Sequence, residues 1–115
     1  GFHSAWRFSG RVLAVMDYLR LRYAEEVTVE AVAGAIRLSR SRLAELFQTE
    51  VGVSVMQYVM ALRVEVAKLL LARASLNLEE VATLAGFCDA SHFSRVFREH
   101  TGSRPGAYRQ EFARM

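Results

Sequence analysis

Apolar residues recur at helical spacing along nearly the whole chain, and only one proline and seven glycines interrupt it, so an all-α fold is expected. The first amphipathic stretch begins at Ser9, with Val12, Met16, Leu19 and Tyr23 inward and Arg11, Asp17 and Arg20 outward. Glu25-Glu26 breaks that pattern. Thr28 is suited to cap a short helix built on Val29, Val32, Ala33 and Ile36. Ser39 is suited to cap a second, with Leu43, Leu46 and Phe47 inward and Arg40, Ser41, Ala44, Glu45 and Gln48 outward. Gly52 ends it. From Ser54 a long helix is predicted to about Ala72, with Val55, Val59, Leu62, Val66, Leu69 and Leu70 as its apolar stripe. Residues 1–8 show no clear period and are assigned as a tail or linker remnant, including Trp6 and Phe8.

The final third carries the most explicit punctuation. Leu78, Val81, Ala82 and Ala85 share one helical face, Asn77 is placed to cap it, and Glu80 stands where a capping box puts its carboxylate. Gly86 supplies the left-handed exit that a Cβ would obstruct. Asp89 then caps a second helix with Phe93, Val96 and Phe97 inward. Its outer face shows Ala90, Ser91, Ser94, Arg95 and Arg98, which are small, hydroxylated or basic, and is expected to be free of acid. Two short helices joined by a glycine turn have the geometry of a helix-turn-helix that enters a DNA groove.

The same unit occurs twice. Glu30, Val32 and Ala33 recur 49 residues later as Glu79, Val81 and Ala82, and Ser41, Phe47, Gly52 and Tyr58 recur 50 residues later as Ser91, Phe97, Gly102 and Tyr108. The extra residue falls near Cys88, and Ser39 aligns with Asp89. Duplication of a helix-turn-helix unit is the economical explanation. The expected organisation is a domain over 9–115, with a first unit over about 9–52, a linker helix over about 54–72 and a second unit over about 77–112. A linker helix of about 19 residues spans roughly 28 Å, near the roughly 34 Å of one DNA turn once helix width is added. Two recognition helices are therefore expected to enter successive major grooves on one face of a duplex.

Composition adds bounds. In 115 residues, 52% hydrophobic content provides for a real core of one domain, or of two very small ones sharing a helix. The net charge of +3 permits an anionic partner without demanding one. Lys68 is the only lysine among fifteen basic residues, a skew that suits bidentate phosphate and guanine contacts and that codon bias would equally produce. An enzyme fails on inventory, because three scattered histidines, one cysteine, Asp17 and Asp89 offer no nucleophile–base pair and no glycine-rich phosphate loop is present. No cysteine–histidine cluster has zinc spacing, so neither metal nor cofactor is expected, and Cys88 has no disulfide partner. Absence of a signal peptide or membrane-length apolar run makes the cytosol the default and gives no membrane partner. The chain opens Gly-Phe-His rather than with methionine, so an excised piece with a partner domain missing from view is expected.

With these anchors in place, the chain resembles the AraC/XylS family of bacterial transcription regulators over roughly 9–109. The resemblance is carried by Gly86-Phe87, by Ser91-His92-Phe93-Ser94-Arg95-Val96-Phe97-Arg98, and by Gly102, Pro105 and Tyr108-Arg109. Leu38-Ser39-Arg40-Ser41, Leu43 and Leu46-Phe47 carry it in the first unit, and Leu62-Arg63, Ala67 and Leu69-Leu70 in the linker helix. It implies about seven helices, two helix-turn-helix subdomains joined by a long helix, binding to double-stranded promoter DNA, and contact with RNA polymerase, as an activator in the bacterial cytoplasm and nucleoid, with an effector or dimerisation domain outside this chain. Transferred position by position, the base-facing residues are Ser41, Ala44 and Glu45 in the first recognition helix, and Ala90, Ser91, Ser94 and Arg95 in the second.

Arg95 is the favoured base reader, since arginine can hold guanine O6 and N7 together. Arg40, Arg42, Arg98 and Arg104 lie near helix starts or on outward faces, where the alternatives are phosphate contact or a solvated face. Gln48 and the helix start at Ser54 join the phosphate set, while His92 reaches a phosphate or packs beside the turn. Three departures from the family pattern stand out. Arg37 replaces the usual turn glycine, at a cost of about 1 kcal/mol if φ is positive, so a reshaped turn is expected. Ser54 is followed by Val55, and Pro105 is preceded by Arg104, so each helix start keeps half of a Ser-Pro signal. Glu45 repels phosphate, and the base contact it makes well is to cytosine N4. The second unit should therefore supply more of the general DNA affinity. The competing reading is a helical protein-binding module that does not touch DNA.

Overall fold

The computed structural model describes residues 7–113, which form seven helices and no strand. They are α1 (Gly10–Arg22), α2 (Val29–Ile36), α3 (Arg40–Val51), α4 (Val55–Leu71), α5 (Leu78–Ala85), α6 (Ala90–Thr101) and α7 (Pro105–Ala113). The tail assignment for residues 1–6 lies outside the described residues.

Helix starts follow the capping residues named from the sequence, and Ser9, named only as the start of a helix, proves to be a cap as well. Ser9, Thr28, Ser39, Asn77 and Asp89 each take an extended backbone and accept the amide three residues on, satisfying a donor that has no partner within the helix. Asn77 and Glu80 complete a reciprocal capping box, at 2.8 Å and 3.0 Å. Ser54 and Gln57 form a second one, at 3.1 Å and 2.8 Å, so losing the proline at position 55 leaves the start of α4 intact.

Helix ends bring one correction. Gly52, Gly86 and Gly102 all have positive φ, as does a single non-glycine residue among those described, Arg37, with φ 62° and ψ 41°. The turn is not reshaped. Arg37 donates to the Ala33 and Gly34 carbonyls as Gly86 donates to those of Ala82 and Thr83. Leu38 reaches the Ala33 carbonyl at 3.0 Å as Phe87 reaches that of Ala82 at 2.9 Å. These bonds satisfy carbonyls that would otherwise end the helix unpaired, and they hold arginine in the strained conformation.

The stripe expected along α4 also needs correction. Val55, Val59, Val64, Ala67 and Leu71 are buried, whereas Leu62, Val66 and Leu70 are only half-buried and Leu69 is 74% exposed. Apart from Val64, which lies beside it, the buried line follows an every-fourth-residue row, which advances about 40° around the helix per step instead of staying on one face. Arg63 lies on that row and is 6% exposed. Burial pulls its guanidinium below the ordinary arginine range, with Cys88 acting in the opposite sense.

The chain divides after Val59 into two compact units. The first buries Val12, Val15, Met16, Leu19, Val32, Ala33, Leu43, Phe47, Val55 and Val59, while Tyr23, expected inward, is half-buried just past the end of α1. A 2.6 Å bond from the Ser9 amide to Glu50 Oε1 ties the start of α1 to α3. The second unit packs Val64, Ala67 and Leu71 against Val81, Ala82, Ala85 and the rings of α6. There Phe87, Phe93, Phe97, Tyr108 and Phe112 form a continuous aromatic series with centroids 5.0–5.6 Å apart. The duplication survives in ring geometry. Phe47 meets Tyr58 edge-on at 5.5 Å and 79°, and their counterparts Phe97 and Tyr108 meet at 5.2 Å and 80°.

Arg109 anchors α7. Its Nε donates to the Leu71 carbonyl at 2.9 Å and its Nη2 to that of Arg73 at 3.2 Å, satisfying acceptors left over at the end of α4.

Candidate nucleic-acid interface

In the first unit, Ser39 starts α3 so that Ser41, Ala44, Glu45 and Gln48 follow at helical spacing, and all four are exposed. The opposite face of α3 is fixed by Leu43 and Phe47, both fully buried. Both arginines of its first turn are engaged. Arg40 pairs with Glu30 of α2 at 2.8 Å, and Arg42 pairs with Glu45 at 3.8 Å. Surface pairs of this kind add little stability, yet they reduce the positive charge that α3 presents. Ser54, assigned to phosphate, spends its hydroxyl as the cap acceptor of α4 and keeps a half-buried position there.

The second unit is different. Phe93, Val96 and Phe97 hold the inner face of α6, and Ser91, Ser94, Arg95 and Arg98 fall on the other side. With Arg104 from the start of α7, these residues line an open depression of about 590 Å³. Among the described residues, Arg95, Arg98 and Arg104 have no ion-pair partner within 4.0 Å. Three exposed guanidiniums therefore face one groove with their donors available, a combination suited to phosphate oxygens and guanine edges.

Two assigned residues stand apart from that groove. Ala90 is half-buried and lines a neighbouring apolar depression with Leu78, Phe93 and Pro105. His92 is half-buried, its ring packs edge-on against Phe87 at 5.6 Å, and its Nδ1 is buried without a hydrogen-bond partner. Of the two alternatives open for His92, this is packing beside the turn.

One groove residue was missed. The outer face of α6 is not free of acid, because Glu99 lines the same depression. It stands four residues after Arg95 and eight after Ser91, so the spacing that placed those two would have found it had the face been drawn wider.

A family model described as a helix-turn-helix domain matches residues 32–111. The chain is 38% identical over 99 residues to YijO of Escherichia coli K12, an uncharacterized HTH-type transcriptional regulator, covering 86% of this chain and 35% of that protein. It is 38% identical over 90 residues to the transcriptional activator NphR of Rhodococcus, covering 78% and 27% respectively. A third relative, the arabinose operon regulatory protein of Escherichia coli K12, is 38% identical over 81 residues, which cover 70% of this chain and 28% of that protein. The chain thus spans about a third of the length of these curated relatives. Among solved structures, the C-terminal domain of AraT, a response regulator from Geobacillus stearothermophilus, superposes with a TM-score of 0.87 at 27% identity, covering 91% and 88% of the two chains. The DNA-binding domain of AdpA in complex with a target DNA gives 0.84 at 28% identity, covering 90% and 94%.

Proposed function

The chain belongs to the AraC-type helix-turn-helix family of transcription regulators, and from that premise we propose that it binds duplex promoter DNA sequence-specifically, with α3 and α6 as recognition helices in successive major grooves. The observation that carries this reading is the α6 groove, where Arg95, Arg98 and Arg104 converge without ion-pair partners among the described residues. Similarity to the DNA-bound domain of AdpA supports it. Arg95 is the base reader, with Ser91 and Ser94 beside it, and Arg98 and Arg104 hold phosphate. In α3 the reading assigns base contacts to Ser41, Ala44 and Glu45. Because Arg40 and Arg42 are already paired, the second unit supplies more of the sequence-independent affinity. Regulation of transcription by contact with RNA polymerase belongs to the same proposal, and the naming of the relative NphR as an activator supports that direction.

The test is binding to random-sequence duplex across a salt series. Contact with about six phosphates gives a log–log slope near −5, because each neutralised phosphate releases condensed counterions. A flat response refutes DNA binding. A footprint on a selected site should then show protection in two successive major grooves, and protection of a single groove refutes the paired insertion.

A further inference from the structure

The acid in the α6 groove has no role in the function just proposed. Glu99 is exposed and lines the depression with Ser91, Ser94, Arg95, Arg98 and Arg104, where its carboxylate is the one negative side chain among the described residues. Among the described residues it forms no ion pair within 4.0 Å, although a residue four positions from Arg95 on a helix is its surface neighbour. Among the described residues it caps no helix. A carboxylate so placed opposes every phosphate that approaches the groove, whatever the base sequence.

That cost differs between right and wrong sites. A guanidinium has five N–H donors, of which bidentate contact with guanine O6 and N7 uses two. A carboxylate at i+4 can accept another and hold the fork in the reading orientation. On a cognate base, Arg95 is fixed and Glu99 gains a partner. On random sequence, Arg95 has no base to fix it, and Glu99 stays an unpaired anion among phosphates. We propose that Glu99 is a positioning residue for specificity, raising discrimination by orienting Arg95 on its base and by weakening sequence-independent binding. The proposal rests on DNA binding through α6.

The experiment measures Kd for the chain and for Glu99→Gln on two duplexes, one of random sequence and one recovered by selection from a random pool. Glu99→Gln is expected to tighten binding to the random duplex by about threefold or more and to change the selected duplex much less, so their ratio falls at least about threefold. In an Arg95→Ala background the same substitution should leave the ratio unchanged, because Glu99 then has no fork to hold. Equal tightening on both duplexes, or a ratio effect that persists without Arg95, overturns the proposal. Wild-type chain that binds neither duplex with a salt-dependent Kd refutes DNA binding itself, which separates the two failures.

Discussion

Arg37→Gly should stabilise the protein. Arg37 holds φ 62° and ψ 41°, a left-handed conformation that costs a residue bearing a Cβ about 1–2 kcal/mol. Glycine removes that cost and loses about 0.5–1 kcal/mol through the extra freedom of its unfolded chain. No ion pair or side-chain hydrogen bond offsets the change, since the exposed Arg37 makes none among the described residues. The net gain is about 0.5–1 kcal/mol, or roughly 2–4 °C in Tm for a chain of this size. Gly52→Ala is the matching control within the same unit. Its φ is 88°, and a Cβ there would meet nothing within 4 Å, so any loss is conformational, on the order of 1 kcal/mol. Thermal unfolding followed by far-UV circular dichroism measures both, and Arg37→Asn should recover part of the gain because asparagine tolerates the left-handed region. If Gly52→Ala lowers Tm while Arg37→Gly lowers it or leaves it unchanged, the assignment of strain to position 37 is wrong.

The remaining predictions concern the groove and the anchor of α7. Arg95→Ala should lose about 1–3 kcal/mol of discrimination at one or two base pairs, whereas Arg98→Ala should weaken all sequences alike and flatten the salt slope by about one; competition binding against single-base variants of a selected site separates the two. Glu45→Ala removes an acid and releases Arg42 from a 3.8 Å pair, so binding to random duplex should stay equal or tighten, and a clear drop in titration would count against a groove-facing Glu45. Arg109→Ala removes two bonds to the Leu71 and Arg73 carbonyls and should cost about 2 kcal/mol in urea unfolding. Arg109→Lys should not restore it, since a single ammonium lacks the planar fork that reaches both oxygens.

What was legible in the sequence was local. Each cap bonds an amide three residues away, so Thr28, Ser39, Asn77 and Asp89 declare their helices without knowledge of the rest of the chain. The duplication was legible for the same reason, since Phe47–Tyr58 and Phe97–Tyr108 keep one spacing. The stripe on α4 was not, because VMQYVMALRVEVAKLLL is apolar on nearly every side and its periodicity does not separate Leu69 from Leu71. Only neighbouring elements decide which leucine is covered, and the apolar pattern equally fails to announce that Arg63 is buried. The site divides along the same line. Arg95, Arg98 and Arg104 could be named from helix position, but whether an arginine is available depends on partners from other elements. Glu30 reaches Arg40 from a different helix, ten residues earlier in the chain, and nothing in the spacing within α3 announces it. Counted by residues alone, each recognition helix carries two arginines, Arg40 and Arg42 in α3 and Arg95 and Arg98 in α6. The two helices differ in the folded protein because, among the described residues, the arginines of α3 are ion-paired and those of α6 are not. Net charge sets the average attraction to a polyanion, while the unpaired arginines decide which surface meets it first.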